Sequence, residues 1–146
     1  MTAYESVADE VIAVVRKFIS LIPTEVTPED SFSHLGEILV TGHSLGGALA
    51  NLAAADIREK FPEFRKPMKL FTFGAPRVGN QQFARMMNTY YPEGNNFRVV
   101  NKRDIVPHIP TRVINKFYYH NGDEVWYNVS QNVTNSQTGK AGISEY

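Results

Sequence analysis

Gly42-His43-Ser44-Leu45-Gly46-Gly47 sets one hydroxyl between glycines two residues away on either side. A serine hydroxyl is a weak nucleophile until it is lifted clear of the backbone and brought within reach of a base. A sharp turn between a strand and a helix does the lifting, and Gly-x-Ser-x-Gly is the pattern of such a nucleophile elbow. The turn leaves little room beside the serine, so Gly42 and Gly46 are both expected to need the absence of a Cβ, with Gly47 adding clearance. The helix that starts here aims its N-terminal N–H groups and positive dipole end at the site. The Leu45 backbone N–H is then the expected oxyanion donor. A purely structural use of the same pattern is a glycine-rich βα turn in which Ser44 caps the helix. The apolar Ile38-Leu39-Val40 before the turn and the Ala/Leu-rich run after it favour the elbow.

A second chemical group follows in the order such sites use. Phe97-Arg98-Val99-Val100 reads as a strand that runs into Asn101-Lys102-Arg103-Asp104, so Asp104 falls just past a strand's C-terminal end. In an open parallel sheet that edge carries the site, and Ser44 is expected on the same edge. Pro107 and Pro110 stiffen the loop that holds the carboxylate. The plain alternative is a loop carboxylate paired with Arg103 or Lys102.

The surrounding elements must place these groups. Tyr4 to about Leu21 has the spacing of an amphipathic helix, with Val7, Val11, Val14, Val15, Phe18 and Ile22 on the expected core-facing stripe. Thr2 and Glu5 resemble a capping box at its start, and Pro23 stops it. Pro23 to Gly36 reads as a polar loop in which His34 is solvated. The helix after Ser44 is expected to bury Leu45, Leu49, Leu52, Ala53 and Ile57, while its small residues (Ala48, Ala50, Ala53, Ala54) allow close approach to a sheet. Met68–Phe73 is a second strand, and Gln81–Tyr91 a helix with Phe83, Met86, Met87 and Tyr90 on one side. Strands alternating with helices mean a parallel sheet with right-handed crossovers, the α/β class. Asn121-Gly122-Asp123 lies between the aromatic runs Lys116–His120 and Glu124–Asn128, a strong signal for a β-hairpin. From Val129 onward the chain is polar. The expected organisation is one domain over 1–128 and a poorly ordered polar tail over 129–146.

Composition narrows the chemistry. The 146 residues suit one domain, and 15 Lys+Arg against 15 Asp+Glu give zero net charge, which argues against a nucleic-acid partner. There is no cysteine, hence no disulfide or thiolate metal site, and the four histidines are scattered without ligand spacing, so neither metal nor other cofactor is expected. No run has the length of a transmembrane segment, and the N-terminus lacks the pattern of a secretory signal. Asn128-Val129-Ser130 and Asn132-Val133-Thr134 are glycosylation sequons, which point to a secreted parent protein.

Four segments together resemble the class 3 (fungal-type) triacylglycerol lipases: Val40–Ala48, Phe71–Asn80, Arg98–Pro110 and His120–Tyr127. The likeness runs from about Tyr4 to Asn128. It implies a partial α/β-hydrolase fold, with a three-layer parallel sheet core and the C-terminal hairpin. It implies hydrolysis of carboxylic esters, typically acylglycerols met at a lipid–water interface, with Ser44 as nucleophile and Asp104 orienting the base. In the family the first strands, the lid and the second oxyanion donor lie upstream of the Tyr4 helix. The catalytic histidine lies downstream of the hairpin. The sequence therefore resembles the middle of a lipase, and alone it is expected to be nearly inactive, since losing a triad member costs about 10⁴- to 10⁶-fold in kcat. Among the histidines present, His120 has the right chain order but matches a non-catalytic position. His108 is four residues past Asp104, and His43 is expected to point into the fold. A non-catalytic lipase-like module that binds lipid or protein is the competing expectation. A phospholipase or feruloyl-type esterase on the same scaffold is another.

Overall fold

The fold is built from α1 (Glu5–Ser20), β1 (Ile38–His43), α2 (Leu45–Lys60), β2 (Met68–Phe73), α3 (Gln81–Tyr90), β3 (Asn96–Asn101), a 3₁₀ turn (Val106–His108), β4 (Asp123–Tyr127) and β5 (Gly142–Ile143). The computed structural model describes residues 3–21, 37–62, 68–111, 117–128 and 142–143. The strands form one sheet in the order β1-β2-β3-β4-β5. The first four are parallel, and β5 pairs antiparallel with β4. The α/β class expected of the sequence is the class observed.

One face of the sheet carries the core. Met68 and Leu70 of β2 meet Ala50, Ala54 and Ile57 of α2, Met87 of α3 and Ile12 of α1, with Ile38 and Val40 packed against them. Met68, Leu70, Met87 and Tyr91 are almost completely enclosed. Burying each such side chain stabilises the fold by about 1.5–3 kcal/mol. Tyr91 also satisfies its hydroxyl, which donates to the Ala54 carbonyl at 3.0 Å. The opposite face is much barer: Leu39 is 58 % and Phe73 43 % exposed, and Phe71 and Phe97 stack beside them at 5.1 Å between ring centres. Helices α1, α2 and α3 share one core cluster, so the described residues supply one helix layer. The second helix layer of the expected three-layer core is not among them.

Three expectations about faces and pairing are corrected. In α1 the buried residue is Ile12; Val7, Val14 and Phe18 of the expected stripe are exposed, while Val11 and Val15 pack on the core's margin. Ile22 lies outside the described residues, as does Thr2 of the expected capping box, and the cap position is Tyr4, which makes no side-chain cap bond. In α2 the buried side is Gly47, Ala50, Asn51, Ala54, Ala55 and Ile57, whereas Leu45 is 64 % exposed. Small residues face the sheet because they let the helix axis come close, and the larger leucines are turned to its flanks.

Among the described residues the expected hairpin does not form. Asp123–Tyr127 runs parallel to β3, in register from Phe97↔Asp123 to Asn101↔Tyr127. Before it, Tyr119 makes a single antiparallel bridge to Gly79 instead of pairing with 124–128. The turn signal itself is real: Gly122 has φ +75°. Its N–H, however, donates to Asn88 Oδ1 on α3 at 2.9 Å, which steers the chain beneath the helices and alongside β3. The cross-strand ion pair Arg98–Glu124 joins the two parallel neighbours. Of the polar tail, only β5 lies within the described residues.

Candidate active site

The C-terminal ends of β1 and β2 finish level, His43 opposite Phe73, and β3 runs two residues beyond Val99, the partner of Phe73, to Asn101. The Ser44 N–H donates to the Phe73 carbonyl (2.9 Å), the Gly74 N–H to Val99 (2.8 Å) and the Lys102 N–H to Tyr127 (2.7 Å), so each ladder continues one residue past its strand. Ser44, Gly74 and the turn leading to Asp104 therefore stand on one rim.

Ser44 sits between β1 and α2 at φ 54°, ψ −125°, a conformation that an L-residue holds at a cost of about 1–3 kcal/mol. It occupies the cap position of α2, yet its side chain makes no cap hydrogen bond. Its carbonyl instead accepts from the Gly47 N–H (2.9 Å) and the Ala48 N–H (3.3 Å), which closes the first turn. Leu45 is the first residue of the helix, where N–H groups have no intrahelical partner. The turn is tight on one side only. A Cβ on Gly42 would fall onto the Gly46 carbonyl, and one on Gly47 would come within 2.6 Å of Ala75 Cβ. A Cβ on Gly46 would meet nothing within 4 Å, so the expectation that Gly46 must lack one is corrected. It is the Gly46 backbone, not its missing side chain, that crowds the turn.

Asp104 is half-buried in a turn whose ends are fixed. Its N–H donates to the Asn101 carbonyl (3.0 Å), and Oδ1 accepts from the Val106 N–H (3.0 Å). The other oxygen, Oδ2, lies 2.6 Å from where a Cβ on Gly74 would stand, and Gly74 has φ +57°. No other residue type suits that position, because the left-handed backbone and the carboxylate both exclude a side chain. The loop is held by Arg77 and Trp126. Arg77 Nη1 donates to the His108 carbonyl (2.6 Å) and the Pro110 carbonyl (2.9 Å). The Arg77 N–H donates to Ile109 (2.9 Å). Trp126 Nε1 donates to the Lys102 carbonyl (2.8 Å). The alternative pairing of Asp104 with Lys102 or Arg103 does not occur: both cations are exposed at the rim of the cleft that Asp104 lines.

That cleft, of about 510 Å³, is bounded by Phe73, Gly74, Val99, Asn101 and Asp104, with His43 on its wall. His43 was expected to point into the fold. It is exposed, because Gly42 faces α2 and strand alternation turns the next side chain to the bare face of the sheet. His120 is partly buried, with Nε2 2.7 Å from the Pro107 carbonyl. Burial pushes its pKa down to about 3, Arg98 adds to the shift, and the bond to Pro107 opposes it. A ring with one nitrogen engaged and so low a proton affinity is a poor general base at neutral pH. The His108 side chain is exposed, and His34 lies outside the described residues. The contacts of Arg77, Trp126 and His120 with the acid loop were not read from the sequence. Their only local signal was polar or aromatic character in Phe71–Asn80 and His120–Tyr127, two of the segments that carry the family resemblance.

Residues 1–114 match the family model described as Lipase (class 3). The chain is 38 % identical over 130 residues to a lipase of Rhizopus niveus, covering 86 % of this chain and 29 % of that protein. It is 32 % identical over 134 residues to the secreted mono- and diacylglycerol lipase A of Penicillium cyclopium, covering 91 % and 37 %. The crystal structure of the lipase from Rhizopus microsporus var. chinensis superposes with a TM-score of 0.70 at 33 % identity, over 88 % of this chain and 40 % of that one. The chain thus spans about a third of the length of these curated relatives. Among the described residues no helix is long and apolar enough to cross a membrane. The match over most of its length, on the fold and rim described above, makes this chain a member of the class 3 lipase family.

Proposed function

We propose that this chain carries the nucleophile and the acid of a serine carboxylic ester hydrolase that acts on acylglycerols. Ser44 Oγ attacks the acyl carbon and gives its proton to a histidine. The Leu45 N–H holds the oxyanion of the tetrahedral intermediate. Collapse expels the alcohol, which takes the proton back, and water then releases the fatty acid from the acyl-serine by the same two steps. Asp104 orients the histidine and stabilises its charged form. No described histidine hydrogen-bonds Asp104, so we assign the base to a histidine outside the described residues. The relatives, lipases and a secreted mono- and diacylglycerol lipase, support the substrate class and an extracellular parent protein. Work at a lipid–water interface follows from such substrates.

The observation that carries this reading is Ser44 itself: a strained residue at the head of a helix it does not cap, on the rim that also holds Asp104. Strain kept at a residue whose side chain makes no cap bond points to use. In the longest natural form of the protein, a fluorophosphonate probe is expected to label Ser44, and Ser44→Ala to abolish both label and esterase activity. Absence of label on Ser44 would sink the proposal. The second reading, a lipase-like module that binds lipid or protein, draws on the lack of a suitable described histidine. Unchanged biological activity in Ser44→Ala would favour it.

A further inference from the structure

His120 and Asn121 are consecutive, and each reaches a different half of the proposed site. His120 Nε2 meets the Pro107 carbonyl at 2.7 Å. A carbonyl only accepts, so the ring carries its proton on Nε2. Pro107 is the middle residue of the 3₁₀ turn, whose first N–H, that of Val106, holds Asp104 Oδ1. Asn121, buried, donates from Nδ2 to Asn51 Oδ1 at 2.9 Å. Asn51, also buried, donates from its own Nδ2 to the Gly47 carbonyl at 2.9 Å, in the first turn after Ser44. Every amide in this chain has one consistent orientation, since Asn51 must present nitrogen to Gly47 and oxygen to Asn121. Buried polar groups cost stability unless bonded, and an apolar pair would fill the same space without that requirement. What the polar chain supplies, and an apolar pair would not, is direction.

We propose that His120 and Asn121 form a positioning pair, His120 setting the turn that aims Asp104 and Asn121 setting, through Asn51, the helix start behind Ser44. The pair rests on the acyl-transfer reading above, and it fixes the spacing between nucleophile and acid from a single point in the chain. A displacement near 1 Å in such an arrangement costs up to about 100-fold in rate.

The test measures kcat and KM on a soluble p-nitrophenyl ester, using the longest natural form of the protein. His120→Phe fills the ring's space without a donor, and His120→Gln carries an N–H near the Nε2 position. The Phe variant is expected to lower kcat about 10- to 100-fold at unchanged KM, and the Gln variant to return it to within about threefold of the parent. If the Phe variant does not fold, His120→Asn, whose donor is too short to reach Pro107, takes its place. Equal kcat in the Gln variant and the variant without a reaching donor overturns the role of His120. Asn121→Asp, which offers Asn51 an acceptor in place of a donor, is expected to lower kcat similarly, and parental kcat overturns its role. Ser44→Ala separates the two levels. Activity that survives it refutes the acyl-transfer reading, whereas its loss beside parental kcat in the other variants refutes the positioning pair alone.

Discussion

The elbow around Ser44 and the loop around Asp104 sit on the same rim but are held by different means. The elbow is held by its own backbone: β1 runs in, α2 runs out, and two carbonyl bonds from Ser44 close the turn. Its clearance comes from Gly42 and Gly47, within three residues of the serine. The acid loop is held from elsewhere, by Arg77 from 31 and 33 positions away, Trp126 from 24 and His120 from 13. A nucleophile elbow is thus a local device that a short peptide motif can specify. The acid's aim is a tertiary property, spread over side chains that only the finished sheet brings together.

That contrast can be broken or sharpened by substitution. The largest effect is expected from Gly42→Ala, whose Cβ would strike the Gly46 backbone, which cannot give way without opening the helix. The loss should reach about 3 kcal/mol or more, the upper range for overpacking, read by urea denaturation. Next, Arg77→Met removes two charged bonds to loop carbonyls at once, and a cost of about 1.5–3 kcal/mol is expected. Hydrogen exchange should speed up in residues 104–110 and stay unchanged in α2. Equal loosening of both would show that elbow and loop are one unit.

Acid should act on the loop in the same direction. The folded protein keeps His120 neutral down to about pH 3, while the unfolded chain binds a proton below about 6.5. The unfolded state therefore holds more protons in that window, and stability falls as pH drops from 6.5 towards 3, by at most about 1.4 kcal/mol per unit from this group. The groups acting on the ring are Arg98 from β3, Arg77 from the loop after β2 and His108 from the 3₁₀ turn. Denaturation at stepped pH, compared between the parent and His120→Gln, isolates the term. The smallest effect belongs to Gly46→Ala. With nothing near its Cβ, the change should stabilise the helix by about 0.5–1 kcal/mol, and a loss would show that the elbow tolerates no side chain at all.

Much of this was legible in advance, and the misses share a cause. The strands β1, β2 and β3 and the helices α1, α2 and α3 formed where apolar periodicity placed them, because that signal reports burial directly. Errors came where a local signal leaves the partner open. Asn121-Gly122 is a turn in either topology, but Asn88 and Asn51 decide where it leads. The buried side of α2 is turned from the expected one, since close approach to a sheet favours alanine and glycine over leucine, and on α1 the burial centres on Ile12, which the expected stripe leaves out.

The amino-acid order by itself determined the α/β class, the elbow and the placing of Asp104 past the end of a later strand, because each depends on residues a few positions apart; that β2 lies between the two strands is read from the sheet. Only the tertiary structure decided that β4 lies parallel to β3, that His43 faces the bare side of the sheet, and that His120 Nε2 meets the Pro107 carbonyl. Those outcomes turn on which groups meet across long sequence distances, and short-range spacing carries no record of them.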